Sequence, residues 1–210
     1  MNFLVAAFLG YLLGAIPFGI IVGRLTKGID LRTHGSHRTG ATNALRTLGT
    51  RAAAAVFLLD VAKGVAAVLL VRALFADDQA VEWSAAASGF AAVVGHNWSV
   101  FIGFSGGRGV STTAGALAAM TIWTFFTLVP IVAFVIWRWR YVSLGSITGA
   151  IAAPIITAVL VAIGVSTMAA LAYSLASGLL VTVAHIDNIG RLRAGTERKL
   201  GQKDMVTPHG

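Results

Sequence analysis

The sequence predicts an all-α, polytopic membrane bundle of about seven helices, two of them short, with the N-terminus outside and the C-terminus cytoplasmic. Three observations carry this. Of 210 residues, 57% are hydrophobic and only 11% charged, whereas a soluble domain is nearer a quarter charged. Apolar stretches reach the roughly 20 residues that cross a bilayer at ~1.5 Å each. The charged residues are sorted into polar segments between those stretches, basic in most and acidic in one. No polar stretch is long enough to fold separately, so residues 1–210 read as one membrane-embedded domain. Cysteine is absent, which excludes a disulfide framework and a thiolate metal site. A net charge of +8 would suggest nucleic acid in a soluble chain. Here topology accounts for the cations, and no nucleic-acid partner is expected.

The first apolar run, about 2–23, has no basic residue before it and exceeds a secretory signal core, so it reads as a span. Segment 24–51 follows, with Arg24, Lys27, Arg32, Arg38, Arg46 and Arg51. Runs 52–75 and 83–103 flank an acidic segment, 76–82, that holds Asp77, Asp78 and Glu82. A glycine-rich loop with Arg108 precedes run 114–137; Arg138 and Arg140 precede runs 142–163 and 166–186. The tail carries Arg191, Arg193, Arg198, Lys199 and Lys203 and reads as frayed beyond about Lys203. Basic loops stay cytoplasmic, so 76–82 is outside and the N-terminus with it. Arg108 and Arg138 both fall inside only if 114–137 crosses an even number of times. That parity predicts two short helices meeting near Trp123 or Thr124; the alternative, six spans with 114–137 crossing once, puts the Arg138 loop outside, against the charge rule. The polar segments then converge on one face of the membrane.

Four of those segments have residues suited to anion chemistry. In THGSHRTGATNALRTLG, residues 33–49, small residues precede a short helix over about 41–48, closed by Gly49. Amides at that helix start favour an anion; Ser36, Thr42 and Asn43 add neutral donors and Arg46 a fixed cation. A juxtamembrane loop with topology arginines would share that composition. In GHNWSVFIGFSGGRGVSTTAG, residues 95–115, the Lys-Ser/Thr of a Walker loop and the GxGxxG spacing are both missing. A turn of Gly106, Gly107 and Gly109 around Arg108 suits a small phosphate ester better than a nucleotide. Thr112 and His96, on either side, are further candidates for that phosphate. In WRWRYVSLGSI, residues 137–147, Ser143 and Ser146 share one face at a helix start. In HIDNIGRLRAGTERKLG, residues 185–201, His185 can exchange a proton near neutral pH, Asn188 can hold an oxyanion or a hydroxyl, and Glu197 can pair with an arginine.

Asp60 and Lys63 lie one turn apart within the second span, near the midplane, where charges need partners. They read as a structural pair, or as the lining of a polar cavity. A GxSxG elbow, an HExxH helix and a cysteine nucleophile are absent, and carboxylates are too few for a divalent-metal site. An enzyme of this inventory binds anions and stabilises developing negative charge, which suits acyl or phosphoryl transfer from an activated donor. The alternative is a membrane carrier for a small organic phosphate, which needs a midplane site reachable from both sides.

The motifs GSHRTGATNALRTLG, DVAKG, GHNWSVFIGFSGGRGVST, RYVSLGSI and HIDNIGRLRAGTERK, in this order from about residue 10 to 201, resemble the bacterial acyl-phosphate:glycerol-3-phosphate acyltransferase family. The resemblance implies an inner-membrane enzyme with its active site on the cytoplasmic face. It implies transfer of a fatty acyl group from acyl phosphate, not acyl-CoA, to the 1-hydroxyl of sn-glycerol 3-phosphate. The products are lysophosphatidate and phosphate, at the start of phospholipid synthesis. No metal or cofactor is implied, and a soluble acyl-phosphate synthase is the functional partner. Ser36 and Arg46 match the first motif's essential pair. Gly106, Gly107 and Gly109 match the glycerol-phosphate loop. His185 and Asn188 match active positions and Glu197 a structural one. Two departures stand out: His37–Arg38 replaces a usual Gly-Asn, and Arg108 replaces a usual lysine. Arginine keeps the charge and adds a planar fork that can hold phosphate through two nitrogens.

Overall fold

The computed structural model describes residues 2–202; the tail beyond Lys203 lies outside them. The regular elements among these residues are helices, and the only pairing of strand type is an isolated bridge between Ser99 and Ser105. Helices α1 (Asn2–Ala15) and α2 (Phe18–Lys27) form one 26-residue apolar stretch. It is interrupted at Ile16–Pro17 because proline has no N–H for the helical ladder. The short α3 (Ala41–Thr47) is the helix expected over 41–48. After it come α4 (Thr50–Leu74), α5 (Val81–Asn97), α6 (Val110–Met120), α7 (Ile122–Trp139), α8 (Val142–Ala162), α9 (Met168–Ala184) and α10 (Ile186–Arg193). The α1–α2 stretch, α4, α7 and α8 are each long and apolar enough to cross a membrane; α9 and α10, bent by 57°, make a fifth if taken together.

Two expectations change. Run 114–137 divides at Thr121, ahead of Trp123 and Thr124. α6 is short at 11 residues, but α7 has 18 and is long enough to cross alone, so only one of the pair is short. Thr121 leaves the helix at φ −153°. Its hydroxyl lies 3.2 Å from that of Thr124, which lies 3.1 Å from Thr157 on α8. Buried hydroxyls need partners, and this row ties the break to a neighbouring helix. The second change concerns run 83–103. α5 ends at Asn97, and residues 98–109 fold back as a loop with a 3₁₀ turn at Val100–Ile102.

Close helix contacts rest on small residues. α1 meets α5 with Gly10 on Ser88, Gly14 on Ala92 and Gly95 on Tyr11; α4 meets α6 with Gly64 on Thr112 and Gly115 on Val61. A Cβ at any of these glycines would strike backbone. Small residues let helices approach in lipid, where hydrophobicity between helices offers little drive. Val68, Val71, Leu117, Met120 and Tyr173 fill the core among α4, α5, α6 and α9.

The two ends of the bundle differ in charge. Asn2 donates to Asp78 at 2.7 Å, and Arg72 grips Glu82 through two nitrogens at 3.0 and 2.7 Å while reaching the Ala119 carbonyl at 2.6 Å. The chain start and the acidic segment thus share an end. At the other end Lys27 donates to the Thr47 carbonyl at 2.8 Å, and Arg140 exchanges two hydrogen bonds with Leu200, at 2.6 and 2.8 Å. Thr112 abuts Gly64, roughly 20 Å along α4 from Thr50 at ~1.5 Å per residue. α6 is short because the loop before it dips into the bundle from the basic end.

Candidate active site

The loop ahead of α3 is organised by one buried side chain. Asn43 Nδ2 faces the carbonyls of Leu31, His34 and Arg38 at 3.0, 3.0 and 2.8 Å, and Oδ1 accepts from the Ser36 amide at 2.9 Å. Gly35 passes so close to Oδ1 that a Cβ would overlap it, and its φ of +60° suits glycine. Asn43 is therefore committed to shaping the loop and presenting Ser36, which changes the expectation that its amide meets substrate. Arg32 links this loop to the next: pinned by Asp30 at 2.7 Å, it donates to the Ile102 carbonyl at 3.0 Å and to Ser105 Oγ at 3.3 Å.

The glycine-rich loop closes on α5 through the Gly107 amide, which donates to the His96 carbonyl at 3.1 Å. Gly109 takes φ +76° as it enters α6, whose first amides have no intrahelical acceptor. Arg108 Nε donates to the Ala184 carbonyl at the end of α9, at 3.1 Å. The terminal nitrogens of Arg108 are left for another partner. Burial, with Arg38 and Arg191 nearby, pushes this guanidinium below its ordinary range. Arginine stays charged even so, and an anion entering the site relieves the repulsion.

The third group joins α8, α10 and the tail. Glu197 accepts from Ser143 Oγ at 2.7 Å, Asn188 Nδ2 at 2.6 Å and Arg191 Nε at 2.7 Å. The Ser143 hydroxyl is thereby given to Glu197, and Ser146 donates to the Val142 carbonyl at 3.0 Å. Asn188 Oδ1 remains buried without a partner, free to accept a hydroxyl. His185 Nδ1 lies 2.8 Å from the Val181 carbonyl. A carbonyl only accepts, so Nδ1 carries the proton and Nε2 of the neutral ring is a lone pair.

Burial opposes ionisation of Glu197, but the bonds from Ser143, Asn188 and Arg191 outweigh it and hold the carboxyl below its usual range. A depressed pKa means this stabilisation is complete above the ordinary glutamate range and is lost as the pH falls through the folded-state value. Wild-type thermal stability is expected to drop on acidification through that window. Glu197→Gln is expected to be less stable at neutral pH and to lose that acid-dependent step. Unfolding of both proteins across pH 3.5–7 is the check.

The three groups surround one cavity of about 720 Å³. Ser36, Thr42, Asn43 and Arg46 line it from the first loop and α3; His96, Gly107, Arg108 and Gly109 from the second; Ser143, His185, Asn188 and Glu197 from the third. Asp60 also lines it, paired with Lys63 at 2.8 Å, so the pair holds together as a structural pair and only its aspartate borders the cavity. Gly106, Thr112 and Lys63 are not in the wall. Gly106 packs on the backbone of His96 and Asn97, and Thr112 is fully buried against α4. Arg38, Arg191, Arg198 and Asp187 also face the cavity, as do Phe57, Val132 and Ile136. Of these, Arg38 and Arg191 were visible within motifs. Asp187 and Arg198 lie in the same last motif, which did not mark them for the site, and the apolar wall had no local signal, because the facing of α4 and α7 brings it in.

The profile of glycerol-3-phosphate acyltransferases matches residues 4–195. The chain belongs to the glycerol-3-phosphate acyltransferase family. A glycerol-3-phosphate acyltransferase of Synechocystis is 42% identical over 205 residues, covering 94% of this chain and 90% of its own. One from Halalkalibacterium halodurans is 41% identical over 198 residues, covering 94% and 95%. Crystal structures of PlsY, an integral membrane glycerol 3-phosphate acyltransferase, superpose with TM-scores of 0.85 for its glycerol 3-phosphate form and 0.83 for its lysophosphatidic acid form, at 36% and 35% identity. Each covers 96% of both chains. As a member of the glycerol-3-phosphate acyltransferase family, the chain is a multi-pass integral membrane acyltransferase of phospholipid biosynthesis.

Proposed function

We propose that this acyltransferase moves a fatty acyl group from acyl phosphate to the 1-hydroxyl of sn-glycerol 3-phosphate, yielding lysophosphatidate and phosphate. The observation that carries this reading is the composition of the cavity. Five guanidinium groups, Arg38, Arg46, Arg108, Arg191 and Arg198, face it against Asp60, Asp187 and Glu197. Asp60 and Glu197 already face Lys63 and Arg191. That excess suits two phosphates held together despite their repulsion. Phe57, Val132 and Ile136 form an apolar side for the acyl chain.

The chemistry needs no covalent enzyme intermediate, because acyl phosphate is already an activated anhydride. Arg108 and the first amides of α6 take the phosphate of glycerol 3-phosphate. Ser36, Arg46 and α3 take the donor phosphate. Asn188 Oδ1 orients the acceptor, and proximity supplies much of the rate. The hydroxyl oxygen bonds to the acyl carbon, the carbon–oxygen bond to phosphate breaks with its electron pair on phosphate, and the hydroxyl proton passes to His185 Nε2. The charge-sorted ends support a cytoplasmic face for the site, with the N-terminus outside and seven crossings in a bacterial inner membrane.

Purified protein is expected to form lysophosphatidate from acyl phosphate and glycerol 3-phosphate without metal or CoA, and to form none from acyl-CoA. A folded preparation that makes no product, or that carries glycerol 3-phosphate into proteoliposomes without acylating it, overturns the reading.

A further inference from the structure

A buried polar column stands beneath the glycine-rich loop, and the acyl-transfer chemistry leaves it unused. At its base, Lys63 Nζ donates to the Ile16 carbonyl, at the proline break between α1 and α2, at 3.0 Å. The same nitrogen lies 2.8 Å from Asp60 Oδ1 and 5.7 Å from the centre of the Phe18 ring. Asp60 receives no aligned hydrogen bond, so Lys63 holds it by charge. His96 Nδ1 lies 3.4 Å from that Asp60 oxygen. The other edge of the ring presses on the loop, where Gly107 passes so close to Nε2 that a Cβ would overlap it. The Gly107 amide, bonded to the His96 carbonyl, doubles the link in backbone. Asp60, Lys63 and His96 are 1%, 4% and 6% exposed. Burying such charges costs several kcal/mol, and apolar residues of similar volume often fill a core at least as stably. Stability alone therefore does not account for a lysine, an aspartate and a histidine stacked under this loop.

We propose that Lys63, Asp60 and His96 are a positioning column for the acceptor-phosphate loop. Lys63 locates Asp60, Asp60 orients the His96 ring, and the ring sets the height of Gly107 and hence where Arg108 meets glycerol 3-phosphate. His96 is then a positioning residue, not a phosphate ligand. A two-nitrogen grip on phosphate tolerates about 0.5 Å of displacement, so a loop that shifts further holds glycerol 3-phosphate less tightly. The proposal rests on the reading of this loop as the glycerol 3-phosphate site.

The test measures KM for glycerol 3-phosphate, KM for acyl phosphate, kcat and thermal unfolding for His96→Ala, Asp60→Asn, Gly107→Ala and the His96→Ala/Gly107→Ala double variant. His96→Ala and Asp60→Asn are expected to raise the glycerol 3-phosphate KM about tenfold, with the acyl phosphate KM and kcat within about threefold. Gly107→Ala is expected to raise the same KM, because its methyl meets the ring. In the His96→Ala background it is expected to add less than about twofold, since that ring is gone. Parallel rises in both KM values, losses confined to kcat or to unfolding temperature, or effects of the two substitutions that simply multiply overturn the column. Asp60→Asn carries the same split if His96→Ala fails to fold. Arg108→Ala is the control: an unchanged glycerol 3-phosphate KM removes the loop reading itself, and the column with it. A raised KM there beside unaffected column variants overturns the column alone.

Discussion

Replacing Arg108 by alanine is expected to raise the KM for glycerol 3-phosphate about 100-fold, with the KM for acyl phosphate changed less than about threefold. The size follows from the contact. A hydrogen bond to a charged group is worth roughly 1.5–3 kcal/mol, and two parallel ones from a guanidinium exceed one; 100-fold corresponds to about 2.7 kcal/mol. Arg108 is aimed by its Nε bond to the Ala184 carbonyl, so its terminal nitrogens act as a pre-set fork. Arg108→Lys keeps the charge but loses both the tether and the fork. It is expected to fall between, at about tenfold. Steady-state kinetics with each substrate varied separately decides it. A lysine variant equal to wild type would show that the charge suffices.

Asn43→Ala is expected to lower kcat about 1000-fold, although the side chain does not have to touch substrate. Its amide faces three carbonyls and holds the Ser36 amide, and it is 2% exposed. Each buried group left unpaired costs roughly 1–3 kcal/mol, so the loop that presents Ser36 loses its preferred conformation. Asn43→Asp keeps the acceptor for Ser36 but turns an oxygen toward the three carbonyls, and is expected to be at least as damaging. The helices do not depend on this amide, so the unfolding temperature should fall far less than activity. Kinetics and thermal unfolding on the same preparations, with limited proteolysis of residues 31–40, measure both. An Asn43→Ala enzyme retaining a tenth of wild-type kcat would remove Asn43 from its organising role.

Asn43 also shows where sequence reading stops. Its motif was visible, and its surroundings marked it as polar and near an anion. Whether an amide faces substrate or its own backbone depends on where Leu31, His34 and Arg38 turn. Ser143 is similar: its place at a helix start was legible, but its partner, Glu197, is brought from 54 residues away. Thr112 follows Arg108 closely in sequence, which suggests the phosphate loop. One turn into α6 it already faces α4, where Gly64 leaves room for it.

By itself the sequence determined the helical membrane class, the sorting of acidic and basic segments and the four polar motifs. It also placed Asp60 and Lys63 one turn apart. These follow from local chemistry: the length of an apolar run, the charge of a loop, the spacing of a helical turn. Tertiary structure alone decided that α5 stops at Asn97, that the break expected near Trp123 or Thr124 falls at Thr121, and that the loop before α6 dips into the bundle. It also decided which polar groups face the cavity and which are spent holding its walls. The physical reason is common to all of these. Hydropathy records whether a segment tolerates lipid. Backbone and side-chain polar groups buried in a membrane must find partners, and those partners come from other helices.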